Sequence, residues 1–231
     1  MPRNKKYSEQ GNVFIIILVA VALFGLLLFT FSRTGSQGSG NLSKQQAKIA
    51  AQEMLNYARL LESAVNRVRS NGCSESEINF DNTTVAGYTN VSAPVDNSCD
   101  IFSESGGRVE FSSLSNLTTN GSDWLFSPSI AVVNIGTDSA ANVCNQNSCT
   151  ELIMFLGPLD STLCSAINTL VNAPIATPET MTGYGALFTG AYTNTDQLGD
   201  ATTTYRGIST ACIDGNSSPA GLYFYHVLLA R

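Results

Sequence analysis

The sequence predicts an α+β protein in which an apolar N-terminal helix is followed by an amphipathic helix packed on an antiparallel β-sheet, with disulfides tying the sheet region together. Three observations predict it. Val13 to Phe31 is an uncharged run of 19 residues. Ser43 to Arg69 carries apolar residues at helical spacing behind a capping pair. The rest reads as short strands and turns, and all six cysteines lie beyond the apolar run.

Residues 1–11 form a basic leader, with Arg3, Lys5 and Lys6 against Glu9. Residues 12–32 are the apolar helix. At about 1.5 Å per residue its 19-residue core spans roughly 28 Å, close to the ~30 Å hydrocarbon layer of a bilayer. A cleaved secretory signal would have a shorter apolar core and an A-x-A-like site, which Thr30-Phe31-Ser32 does not supply. Basic residues beside a span stay cytoplasmic, so the expectation is a single span with its N-terminus in the cytoplasm. The expected location is the inner membrane with an extracytoplasmic domain. Residues 33–42, rich in Gly and Ser, read as a hinge.

Residues 43–231 form the expected extracytoplasmic domain, its helix over 43–71 and its sheet and loops over 72–231. Ser43 and Gln46 make a capping box. Ala47, Ala50, Met54, Leu55, Ala58, Leu61, Val65 and Val68 form a one-sided stripe, and Asn71-Gly72 ends it. Strands are predicted at Glu77–Phe80, Arg108–Phe111, Trp124–Phe126, Ile130–Ile135, Glu151–Leu156 and Gly221–Leu229, the last central in the sheet. Leu163–Val171 reads as a short helix and Pro174 to Thr210 as a long loop. Asn-x-Ser/Thr matches at Asn82, Asn90 and Asn116 read as turn chemistry.

From Asn41 onward eight Lys/Arg stand against seventeen Asp/Glu, a net charge of about −9. That argues against nucleic acid or anionic headgroups as partners. An even cysteine count in an exported domain points to disulfides. Six cysteines allow fifteen pairings, of which the sequential set is preferred: Cys73 with Cys99, Cys144 with Cys149, Cys164 with Cys212.

Enzyme chemistry is not expected, nor is a cofactor. No G-x-S-x-G, H-E-x-x-H, P-loop or G-x-G-x-x-G occurs. The one histidine, His226, sits in an apolar strand and reads as structural. Asp196 and Asp200 are weak candidate ligands for calcium, with loop solvation preferred, and Asp138 and Asp214 are equally ambiguous. Trp124 reads as core. Tyr184, Tyr192 and Tyr205 fit either an exposed contact surface or a cover for the sheet.

Lys5-Lys6-Tyr7-Ser8-Glu9-Gln10-Gly11, followed at once by Asn12-Val13-Phe14-Ile15-Ile16, resembles the N-terminus of the type IV pilin and pseudopilin superfamily. The motif covers residues 1–72. The resemblance implies a leader peptidase that cuts between Gly11 and Asn12, methylation of Asn12, and an envelope filament built with other pilin-like subunits. The family usually has Phe or Met where this chain has Asn12, and Glu where it has Ile16. Loss of that Glu implies a minor or tip-located subunit. The alternative function is an uncleaved, single-span binding or scaffold protein.

Overall fold

The computed structural model describes residues 17–19, 21, 43–136, 149–174, 178–179, 184–199, 203–215 and 220–231. Two units separate, Met1–Gly40 and Asn41–Arg231. In the first, Ile17, Leu18, Val19 and Val21 are helical and 51–68 % exposed. Among the described residues no helix is long and apolar enough to cross a membrane. The leader and hinge lie outside the described residues, as does the expected span apart from those four positions.

The second unit opens with α1, Lys44–Ser70. Ser43 accepts from the Gln46 N–H, and the Gln46 side chain accepts in return from the Ser43 N–H. At the other end Gly72 takes φ +105°, a conformation that favours glycine. Every position of the expected stripe is buried, and Ala51, Tyr57 and Ala64 widen it. Alanine lets the helix lie close on what it covers.

The sheet has six strands in the order β3-β5-β6-β2-β1-β4. These are β1 (Leu125–Val132), β2 (Glu151–Leu159), β3 (Pro178–Glu179), β4 (Asp196–Leu198), β5 (Thr210–Gly215) and β6 (Gly221–Leu229). The central four pair antiparallel. The two edge pairs, β1 with β4 and β3 with β5, are parallel, which corrects the purely antiparallel expectation. The short edge strands arrive from long connections and not from hairpins, and only hairpins oblige neighbours to run antiparallel. A second helix, α2, spans Ser161–Val171, its N-cap Asp160 accepting from the Thr162 N–H.

Both faces of the sheet are covered, so β2 and β6 are apolar without alternation. Leu152, Met154, Leu156, Phe224 and Leu228 enter one core with α1, α2 and the 72–124 segment. Ile153, Phe155, Tyr223, Tyr225 and Val227 enter a second with Tyr184, Leu198 and Tyr205. The segment expected as loop thus supplies the second layer. Tyr184 and Tyr205 are buried covers and Tyr192 is half-buried, its OH enclosed without a hydrogen-bond partner among the described residues. Gly157 is fixed by this packing, since a Cβ there would lie 2.4 Å from the Tyr223 ring.

Four strand expectations need correction. Trp124–Phe126 and Ile130–Ile135 are largely one strand, β1, with a register break between Ser127 and Ile130. Pro128, which cannot donate to a ladder, sits in that break. Glu77–Phe80 contains the end of a 3-10 turn and one isolated bridge, Asn79 to Asp100. Arg108–Phe111 makes no ladder: Arg108 N–H donates to Ser103 O and Val109 N–H to Ile101 O where the segment folds back on itself, and side chains meet Glu110 and the flanking residues. Arg67 donates to Gly107 O, Tyr57 OH donates to Glu110 O, and Ser112 N–H donates to Tyr57 Oη.

Disulfides Cys73–Cys99 and Cys164–Cys212 match the sequential pairing. Cys149 is also disulfide-bonded, and Cys144 lies outside the described residues.

Candidate functional site

The surface of α1 away from the sheet is the first candidate. Its outward positions include Lys44, Lys48, Ile49, Arg59 and Leu60, all exposed. Ile49 and Leu60 are 65 % and 47 % exposed, large apolar side chains on a helix that otherwise turns its apolar face inward. From residue 43 to 71 five Lys/Arg stand against Glu53 and Glu62. The helix is therefore basic inside an acidic domain. Among the described residues neither Lys44 nor Lys48 has an ion-pair partner.

Where α1 passes α2 a groove of about 540 Å³ opens, lined by Lys44, Lys48, Ser161, Thr162, Ser165, Ala166, Thr169 and Leu170. Its lining combines two apolar side chains, Ala166 and Leu170, with four hydroxyls and two ammonium groups. That chemistry suits an apolar side chain accompanied by a carboxylate.

Farther along α1 lies a second cavity of about 470 Å³, with Leu55, Arg59, Ser209, Thr210 and His226 in its wall. His226 Nε2 stands 3.2 Å from Glu62 Oε2, and His226 Nδ1 is 2.6 Å from Thr210 Oγ1. An ionised carboxylate only accepts, so the ring proton resides on Nε2 and the Thr210 hydroxyl donates to Nδ1. The alternation of β6 explains the placement: His226 shares the helix-facing side with Phe224 and Leu228. Burial pushes the His226 pKa down, and the Glu62 carboxylate partly opposes it. The order hydroxyl–imidazole–carboxylate is that of a nucleophile and its base. Here the hydroxyl belongs to a residue paired with His226 in the ladder, so the chain also clamps α1 onto β5 and β6. Sequence reasoning missed this grouping. The only signal was Glu62 lying just off the apolar stripe.

Of the other expected site residues, Gly11, Asn12 and Asp200 lie outside the described residues. Asp196 opens the edge strand β4, and its carboxylate accepts from the Gln197 N–H. Among the described residues no group of three His, Cys, Asp or Glu could hold a metal. Trp124 is buried, donating through Nε1 to Ser112 O. No protein family, curated protein or solved structure matches the chain.

Proposed function

We propose that the chain is a pilin-like structural subunit, a minor or tip component of a type IV pilus-like or pseudopilus filament at the cell envelope. The observation that carries this reading is α1. A capped 27-residue helix starts directly after the leader, apolar run and hinge, and lies with its alanine-rich face on an antiparallel sheet core. In the bilayer the apolar run at 12–32 satisfies its own backbone polar groups, and in a filament the same run packs against its copies. Ile17, Leu18, Val19 and Val21, exposed and helical, have the surface such packing requires. The head stands on the extracytoplasmic side, where its cysteines pair. A leader peptidase, assembly machinery and other pilin-like subunits are the partners.

Sequencing the N-terminus of the mature protein tests the reading. A chain that begins at methylated Asn12 supports it, and Gly11→Ala should leave the leader attached. An intact leader in the wild type overturns it. A second reading, an uncleaved single-span scaffold, is favoured by Asn12 and Ile16, the two positions that depart from the superfamily pattern.

A further inference from the structure

Charge divides this domain along α1. Between residues 72 and 123, eight acidic side chains stand against Arg108 alone. This acidic segment is anchored at the C-terminal end of the helix. Cys73 holds Cys99, and Asn90 Nδ2 donates to Ser76 O and Ile78 O. Between those anchors the chain projects a turn whose valines are the most exposed large apolar side chains described: Val91 at 94 % and Val95 at 101 %. The turn is closed by Asn97 N–H donating to Pro94 O, and Asp96 follows Val95 at its tip. Asp96 is bound by the Ser98 hydroxyl and by the Ser98 N–H at 3.0 Å, which hold its pKa below the usual carboxylate range. It stays anionic in solution.

The α1–α2 groove has the complementary character, with Ala166 and Leu170 beside Lys44 and Lys48 in its lining. Asp160, the nearest acid in sequence, is turned to the Thr162 N–H. The groove is lined by Lys44 and Lys48 in the first turns of α1, whereas the segment that carries the tip leaves from its last, about 33 Å along the axis from Lys48 to Ser70 at 1.5 Å per residue. The length of α1 thus stands between the tip's anchors and the groove of the same copy.

We propose that the Val91–Asp96 tip of one copy docks in the α1–α2 groove of a second, with Val95 against Ala166 and Leu170 and the Asp96 carboxylate between Lys44 and Lys48. The contact is heterologous: each copy keeps one free tip and one free groove, so repetition adds further copies into a filament or a ring. It rests on the filament reading and names where two heads meet.

The test uses full-length chains, one bearing Val95→Cys and the other Ser165→Cys, mixed and treated with a short bismaleimide. Both positions are exposed and outside the core. The expected result is a mixed cross-linked product above that of either chain alone. It should fall about five- to tenfold when the Ser165→Cys chain also carries K44E and K48E, and in about 0.5 M salt. It should return when the Val95→Cys chain also carries D96K. Absence of the mixed product, with the single tryptophan still buried by fluorescence, overturns the inference. A cleaved leader without the cross-link sinks this contact and leaves the filament standing. The cross-link with an intact leader does the reverse.

Discussion

Asn168 offers the sharpest test of how α2 is joined to the sheet. It lies on the buried face of α2 at 4 % exposure. Its amide donates to Cys212 O at 2.8 Å and accepts from Cys212 N–H at 2.7 Å. One side chain thus takes the backbone groups of Cys212, which among the described residues β3 does not reach, pairing with β5 at Asp214 and Gly215. Asn168→Ala leaves a buried N–H and a buried C=O unmatched, each costing about 1–3 kcal/mol. Alanine recovers about 0.5 kcal/mol of helix propensity. The expected loss is about 2–4 kcal/mol. Trp124, the single tryptophan and 1 % exposed, reports unfolding by fluorescence in urea. With a slope near ~2 kcal/mol/M the midpoint should fall by about 1–2 M. Thr169→Ala, at an exposed neighbouring position, serves as control and should move it little. An Asn168→Ala midpoint no lower than the control's would refute the assignment of these two bonds as an edge cap.

The remaining predictions concern the histidine and the cross-links. Burial holds the His226 pKa below its unfolded value of about 6.5, so the unfolded chain binds the proton more tightly. Stability should therefore be full above that pH and decline as pH falls below it. Facing the ring are Glu62 and Arg59 from α1 and Thr210 from β5. His226→Gln should flatten the slope of urea midpoint against pH below about 6.5, and an unchanged slope counts against the ring as its source. Cys73 and Cys99 lie 26 residues apart and Cys164 and Cys212 lie 48 apart, so loop closure gives about 3.5 and about 4 kcal/mol respectively. Paired Cys→Ser variants should each lower the urea midpoint, and equal midpoints with and without reductant would contradict this.

Legibility in the sequence followed how local each determinant was. The limits of α1 were readable because the capping box and the eight-position stripe are contiguous in the chain. The central place of β6 was readable because an unbroken apolar run needs cover on both faces. β5 was not: in Thr-Ala-Cys-Ile-Asp-Gly only three residues are large or apolar, and its partners lie on β6, β3 and α2. β3 and β4 span two and three residues, too few for any periodicity. Glu62, Thr210 and His226 came together only through the packing of α1 across β6. The α1–α2 groove had no sequence signature, since it depends on how two helices sit side by side.

The acidic layer between Cys73 and Trp124 raises a question of order. It holds two 3-10 turns and isolated bridges, yet fixing each of its residues costs about 1–2 kcal/mol of backbone entropy. Three kinds of contact offset that cost without a ladder. Asn and Asp side chains take the backbone turn by turn: Asn82 accepts from Thr84 and Val85 N–H, Asn90 from Ser92, and Asp100 from Phe102. Aromatic rings hold the layer to the sheet and to itself, with Phe80 stacked on Phe126 of β1 at 4.3 Å and Phe102 edge-on to Phe111 within the layer. Close backbone approach does the rest. A Cβ on Gly106 would lie 2.2 Å from Asp100 O and one on Gly107 2.3 Å from Ile101 O, so these glycines let the chain fold back on itself. At the outer edge the turn is closed by Ala93 N–H donating to Asn90 O and Asn97 N–H to Pro94 O, yet Val91 and Val95 remain in solvent. The layer is anchored at its base on α1 and presents apolar side chains at its tip, the shape expected of a part that meets another molecule.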